Sequence, residues 1–204
     1  MARTGGITVG RLTNGQQAAF DLLAGAALFL DGPGDLQAHA LDRRDLPGDL
    51  LQRAGGNLAA ALCLALRDAG EPQPRVQALV YPALGDEATD SRVECADAPL
   101  LSAADMRVCI DAYLPDPLQR HRPLALPLRA HDFAGLAPAF VGVAEFDPLR
   151  DDGRRYAERL RRDGVEVDYF PGPGLVHGCL RARELAEVNR LYEALFEALA
   201  RRLD

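Results

Sequence analysis

The sequence predicts an α/β protein with a mostly parallel sheet and flanking helices. Short, continuously apolar segments occur at residues 76–81, 139–144 and 165–170, a pattern typical of strands that are buried on both faces. Helical patterns separate these segments, and strands that alternate with helices form parallel sheets through crossover connections. The chain has 204 residues, of which 48% are hydrophobic, and this is enough for one domain with a substantial core.

The first two helices are predicted from spacing and capping. Leu58, Leu62 and Leu66 recur at helical intervals, which indicates a buried helix from Gly55 to about Asp68. Residues 102–113 form a second predicted helix. Ser102 is its expected N-cap and Asp105 stands at the third helical position, as in a capping box.

Two further helices are predicted in the second half of the chain. Residues 149–163 form an amphipathic pattern with Tyr156 and Leu160 on the inner face and Gly164 at the end. Residues 181–203 form a long helical pattern. Its apolar stripe is expected to consist of Leu185, Val188, Leu191, Leu195, Leu199 and Leu203. Between the second and third helices, residues 115–127 are predicted to be a proline-rich surface segment.

Charge and cysteine content exclude several classes of function. The net charge of -7 argues against nucleic-acid binding, because phosphates are bound by basic surfaces. The four cysteines, Cys63, Cys95, Cys109 and Cys179, include no pair at CxxC spacing. We therefore expect reduced thiols, and no zinc site or redox motif.

No segment predicts a membrane span, because no apolar run is long enough to cross a bilayer. Residues 18–30 are mostly apolar and precede an Ala-His-Ala triplet, a weak likeness to a signal peptide. Asp21 interrupts this run and the preceding arginines lie far from it. The sequence therefore favours a cytoplasmic protein.

The residues most suggestive of chemistry follow the second and third predicted strands. Asp147 follows the strand at 139–144, and His177 follows the strand at 165–170. The carboxyl ends of parallel strands lie at one edge of the sheet, so these two side chains are expected to meet there. A carboxylate that binds one imidazole N–H fixes the tautomer of the ring and stabilises its protonated form. The alternatives are that Asp147 caps the following helix and that His177 bonds to backbone.

Several short segments together resemble the hormone-sensitive-lipase-like esterases of the α/β-hydrolase fold. Their order and spacing match that family over residues 54–203, about three-quarters of the chain. The segments are Ala54-Gly55-Gly56-Asn57-Leu58-Ala59-Ala60, Tyr81-Pro82, Ala96-Asp97-Ala98-Pro99-Leu100-Leu101-Ser102, Tyr113-Leu114-Pro115-Asp116-Pro117, Ala144-Glu145-Phe146-Asp147-Pro148-Leu149-Arg150-Asp151 and Gly174-Leu175-Val176-His177-Gly178. The resemblance implies that Asp147 is the acid and His177 the base of a catalytic triad. It also implies a small-molecule carboxylic ester as substrate, with no metal and no organic cofactor.

The nucleophile of that family is missing. Its elbow reads Gly-Asp-Ser-Ala-Gly-Gly, and the matching residues here are Leu51-Gln52-Arg53-Ala54-Gly55-Gly56. Arg53 stands at the position of the serine, and its guanidinium is not a usable nucleophile because it stays protonated. Leu51 replaces a glycine that the tight turn requires. The N–H of Ala54 is the one oxyanion donor that can be placed by position, since residues 1–50 contain no His-Gly-Gly-Gly loop.

The family-like part of the sequence implies a partial α/β-hydrolase fold that is truncated at its N-terminal side. We expect an irregular segment of uncertain fold over residues 1–50 and the C-terminal part of an α/β-hydrolase domain over residues 51–204. Such a part would leave a sheet edge exposed, through which copies of the chain or a partner protein could associate. Other candidate nucleophiles are poor: Ser102 is explained as a cap, Cys179 lies too close to His177, and Ser91 has no supporting context.

The main hypothesis is an esterase by descent, catalytically impaired by the loss of its serine and oxyanion loop. The alternatives are a non-catalytic binding or interaction module derived from an esterase, and a truncated or frame-disrupted gene product. If the elbow turn forms, Arg53 is expected to project toward His177 and to pair with Asp147.

Overall fold

The computed structural model describes the backbone of residues 48–203 and the side chains of residues 55–202. Five helices and three strands alternate along this part of the chain. Their bounds are α1 (Gly48–Ala69), β1 (Gln77–Val80), α2 (Asp90–Glu94), α3 (Ala103–Tyr113), β2 (Ala139–Gly142), α4 (Arg150–Arg162), β3 (Val167–Phe170) and α5 (Ala186–Leu203). Short 3-10 turns occupy Pro117–His121, Pro127–Arg129 and Cys179–Arg181.

The predicted parallel sheet is confirmed. Its described strands lie in the order β1-β2-β3. Gln77 pairs with Ala139, which in turn pairs with Val167, and both pairings are parallel. Each strand is two residues shorter than its predicted apolar segment. Backbone hydrogen bonds continue past the strand ends, since Tyr81 N–H donates to Gly142 O and Val143 N–H donates to Phe170 O.

Helices cover both faces of the sheet, as the apolar strands require. Alternate residues of β2 point to opposite faces: Val141 packs in the core beneath α1 and α4, whereas Phe140 packs in the core beneath α5. Gly153 permits the close packing of α4, since a Cβ atom there would lie 2.5 Å from the side chain of Val143. The start of α4 therefore lies directly against the end of β2.

The predicted helix ends are confirmed at two positions. Ser102 forms the capping box, in which its side chain accepts a hydrogen bond from Asp105 N–H and the Asp105 carboxylate binds the Ser102 backbone. Gly164, with φ of +82°, follows the end of α4. Tyr156 and Leu160 lie buried on the inner face of α4, as predicted.

The prediction for the last helix was wrong at its start. The helix α5 begins at Ala186 instead of Arg181, and Leu185 lies before it with 48% of its surface exposed. The chain first forms the 3-10 turn at Cys179–Arg181, which buries Leu180 against α5. Leu185 precedes the helix and therefore does not belong to the buried stripe of α5.

The helix α1 begins at Gly48, earlier than the predicted start at Gly55. Leu51 and Arg53 therefore lie within a helix, and not in a turn between a strand and a helix. The rest of the predicted N-terminal segment, residues 1–47, lies outside the described residues. No helix among residues 48–203 is long and apolar enough to cross a membrane.

The four cysteines, which all lie among the described residues, form no disulfide with one another. Burial raises the pKa of the Cys63 thiol to about 12 and that of the Cys179 thiol to about 11. These thiols remain protonated at neutral pH, and a protonated thiol is a poor nucleophile.

Candidate functional site

The loops that follow β2 and β3 are joined by backbone hydrogen bonds. Glu145 N–H donates to Gly172 O at 3.0 Å, and Phe146 N–H donates to Leu175 O at 2.9 Å. Phe146 and Val176 also form an isolated parallel bridge beyond the strands. The parallel pairing of the sheet thus continues into the loops, which places Asp147 and His177 side by side.

This pairing depends on the glycine at position 172. Gly172 has φ of +57°, and a Cβ atom there would lie 1.9 Å from the carbonyl oxygen of Val143. No side chain fits at that distance, and L-residues rarely adopt this backbone conformation. The close approach of the two loops therefore requires glycine at this position.

Asp147 and His177 form a buried hydrogen-bonded pair. The distance between His177 Nδ1 and Asp147 Oδ2 is 2.8 Å. The exposed fraction is 0% for Asp147 and 6% for His177. Because a carboxylate accepts hydrogen bonds, we assign the proton of the neutral imidazole to Nδ1, which leaves Nε2 as the nitrogen that accepts a proton.

Asp147 also has a local structural role. Its Oδ1 atom accepts a hydrogen bond from Leu149 N–H at 2.8 Å, a turn that aspartate commonly forms with the backbone two residues ahead. Leu149, and not Asp147, is the N-cap of α4. The carboxylate therefore holds the turn before α4 with one oxygen and the imidazole with the other.

Tyr81 packs against the imidazole from the end of β1. The two ring centroids are 4.7 Å apart, and Tyr81 is buried. Its φ of +38° is unusual for an aromatic residue, and such strained backbones cluster at functional sites. Burial raises the pKa of Tyr81 well above its ordinary value. Tyr81, which the sequence offered without a role as part of Tyr81-Pro82, thus packs against one side of the His177 ring.

Two carboxylates at the start of α4 bind the segment that follows β1. Asp151 accepts a hydrogen bond from Ser91 N–H at 2.9 Å. Asp152 accepts from Leu84 N–H and Gly85 N–H, each at 2.9 Å, and pairs with Arg92 at 3.0 Å. Burial raises the pKa of Asp152 to about 6, although the arginine and the two N–H groups act in the opposite direction.

These supporting roles are not predicted by the sequence. Asp151 and Asp152 are consecutive acids shortly after Asp147 in the sequence, but no local sequence pattern indicates which residues they bind. The sequence offers Ser91 only as a candidate substitute for the nucleophile. It has 0% exposure and its hydroxyl donates to Pro148 O, so it is not available to attack a substrate.

The remaining predicted site residues lie at the start of α1. Arg53 and Ala54 belong to this helix, but their side chains lie outside the described side chains. The pairing of Arg53 with Asp147 was expected only if the elbow turn forms, and α1 runs through position 53 instead. The role of Ala54 N–H as an oxyanion donor stays a prediction. Downstream of them, Asn57 is buried and its amide donates to Ala83 O and Ala125 O, so it ties α1 to the loop after β1.

The chain is similar to ester hydrolases. A sequence model described as alpha/beta hydrolase fold matches residues 52–181. Carboxylesterase NlhH of Mycobacterium tuberculosis is 41% identical over 129 residues, which cover 61% of this chain and 40% of that protein. Carboxylic ester hydrolase LipN of the same organism is 39% identical over 159 residues, covering 72% of this chain and 42% of the relative.

Solved structures show the same likeness. A thermostable esterase from Pseudomonas putida superposes with a TM-score of 0.67 at 34% identity, covering 74% of this chain and 50% of that chain. The chain thus spans about half, or less, of the length of these relatives.

Proposed function

The chain belongs to the α/β-hydrolase fold family, in its hormone-sensitive-lipase-like group, and we propose that it is a carboxylic-ester hydrolase by descent that is catalytically impaired. The substrate class follows from relatives named as carboxylesterases. The impairment follows from Arg53 at the position of the nucleophilic serine.

The observation that carries the proposal is the buried pair of His177 Nδ1 and Asp147 Oδ2, 2.8 Å apart. In a serine esterase, the carboxylate orients the imidazole, and the other ring nitrogen removes the proton from the attacking hydroxyl. This contact supports the proposal that Asp147 and His177 are the acid and base of such a site. This chemistry uses neither a metal nor an organic cofactor.

The nucleophilic half is the part that is lost. Arginine cannot form the acyl-enzyme, because its guanidinium is protonated and delocalised. Among the described side chains, Ser91 is buried, Ser102 caps α3, and burial keeps the Cys179 thiol protonated. None of these residues replaces the missing hydroxyl.

An ester-hydrolysis assay tests the proposal. We expect the unmodified chain and a His177→Gln variant to hydrolyse p-nitrophenyl acetate at the same rate, because without a nucleophile the base has no hydroxyl to activate. Circular dichroism would verify that the variant is folded. Turnover by the unmodified chain at ten or more times the rate of the variant, roughly 1.4 kcal/mol of transition-state stabilisation, would contradict the impairment.

The alternative of a non-catalytic interaction module predicts a different result. In that case the chain would co-purify with a complete hydrolase, or self-associate, while showing no turnover. Size-exclusion chromatography of the isolated chain beside the assay separates the two proposals. A monomer without a partner leaves the impaired esterase as the better description.

A further inference from the structure

Ser91 lies at the centre of a buried network beside the acid, although 56 positions separate it in sequence from Asp147. Its Oγ atom donates to Pro148 O at 3.0 Å and accepts from Asp151 N–H at 3.2 Å. Its own N–H donates to Asp151 Oδ2 at 2.9 Å. Ser91 and Asp151 therefore bind each other reciprocally. Through its bond to Pro148 O, Ser91 also contacts the residue that follows Asp147.

The peptide unit between Pro148 and Leu149 connects this serine to the acid. Its carbonyl oxygen accepts from Ser91 Oγ at 3.0 Å, and its N–H donates to Asp147 Oδ1 at 2.8 Å. A peptide unit is planar, so a hydrogen bond that fixes its C=O direction also fixes its N–H direction. The Ser91 hydroxyl therefore helps to determine where Asp147 Oδ1 lies.

The orientation of Asp147 in turn determines the contact with the base. A carboxylate is planar, and once Oδ1 is held by Leu149 N–H, Oδ2 can face His177 Nδ1. We propose that Ser91 is a positioning residue that aligns the Asp147 carboxylate with His177 through the Pro148–Leu149 peptide unit. This inference rests on the proposed role of Asp147 as the acid partner of His177.

The hydrogen-bonding capacity of Ser91 agrees with this role. A hydroxyl has one donor and accepts two bonds. The donor is used by Pro148 O, one acceptor site by Asp151 N–H, and the other by Thr89 Oγ1 at 3.1 Å. All hydrogen-bonding sites of the Ser91 hydroxyl are thus occupied, and the residue has 0% exposure. The direction of the hydroxyl is therefore fixed.

The tautomer of His177 is the measurement that tests the proposal. Long-range proton–nitrogen NMR at alkaline pH, where imidazole rings are neutral, distinguishes Nδ1–H from Nε2–H. The chain has 4 histidines, and the spectrum of a His177→Gln variant assigns the signal. We expect the unmodified chain to carry Nδ1–H, and an Asp147→Asn variant to lose it, because an amide no longer requires that proton.

Ser91→Ala removes the hydroxyl without adding volume. We expect the ratio of Nδ1–H to Nε2–H at His177 to fall on the order of five-fold, as for the loss of one hydrogen bond. Ser91→Cys keeps a weaker donor and is expected to give a smaller shift in the same direction, which preserves the test if Ser91→Ala does not fold. The matched control is Ser102→Ala, which removes a hydroxyl that bonds to Asp105 rather than to Ser91, Pro148 or Asp147, and it should leave the ratio unchanged.

A purely structural role for Ser91 predicts something different. Folded Ser91→Ala and Ser91→Cys variants would then have lower melting temperatures and an unchanged tautomer ratio, and that result would overturn the proposal. Absence of Nδ1–H in the unmodified chain would overturn it as well. The readout needs no turnover, so an active unmodified chain would refute the proposed impairment without affecting this inference.

Discussion

Two regions of this chain differ in how they are built. One is the sheet edge that carries Asp147 and His177, the proposed acid and base, named the acid–base edge. The other is the first part of α1 around Arg53, named the nucleophile end. At the acid–base edge, the loops after β2 and β3 share backbone hydrogen bonds, and Asp147 and His177 are buried and bonded at 2.8 Å. At the nucleophile end, Arg53 stands where related esterases have serine, and α1 begins at Gly48, before that position is reached.

The difference shows which residues have a structural role besides chemistry. Asp147 binds Leu149 N–H in the turn before α4, and His177 packs against Tyr81. Replacing either residue would disturb a buried site whether or not the chain hydrolyses esters. A nucleophilic serine has no such packing role, because it must face the substrate. The retention of Asp147 and His177 is therefore no evidence of present catalysis.

The largest expected effect is at Gly172, which joins the two loops. Gly172→Ala should lower the free energy of unfolding by at least about 3 kcal/mol, because the added methyl overlaps Val143 O. Urea unfolding followed by circular dichroism measures this loss. The control is Gly174→Ala, where φ is +73° but the nearest atom lies 3.9 Å away, so that only about 1–2 kcal/mol of backbone strain is expected. If the two variants lose the same free energy of unfolding, the close contact between position 172 and Val143 O does not contribute to the effect.

A smaller effect is expected from Asp152, which supports the acid–base edge from α4. Its pKa is raised by burial from 3.8 to about 6, so the folded state holds the proton more tightly than the unfolded state does. The contribution of Asp152 to stability is therefore fully present below pH 3.8, and it is lost as the pH rises to about 6.

Unfolding experiments across this pH range test that sign. Relative to an Asp152→Asn variant, which does not titrate at this position, the unmodified chain should lose of the order of 2 kcal/mol as the pH rises through this window. A relative stability that increases with pH would show that Arg92 and the two N–H donors outweigh burial.

The smallest effect is expected at the nucleophile end. Arg53→Ser should restore neither ester hydrolysis nor labelling by a phosphonate probe. The reason is that a serine alone supplies neither a glycine at position 51 nor a His-Gly-Gly-Gly loop, which residues 1–50 do not contain. Mass spectrometry detects a phosphonate adduct, and Arg53→Ala is the control. An adduct at position 53 that disappears with His177→Gln would show that the nucleophile end keeps its geometry.

The sequence by itself determined the order of the strands and longer helices, without the short helix α2 (Asp90–Glu94), and the two loops that carry Asp147 and His177. Continuous apolar strands, helical spacing and caps such as Ser102 are local features, and local features can be recognised without knowing the fold. Sequence also identified Arg53 at the position of serine, because a substitution within a motif is visible by alignment with the motif.

The tertiary structure alone decided which residues support the acid. Ser91 and Asp151 are 60 positions apart, and Arg92 and Asp152 are likewise 60 positions apart. The exposure of Leu185 was decided in the same way, because α5 begins only at Ala186. Partners at such separations depend on how loops pack onto the finished sheet. The periodicity of a single element contains no information about that packing.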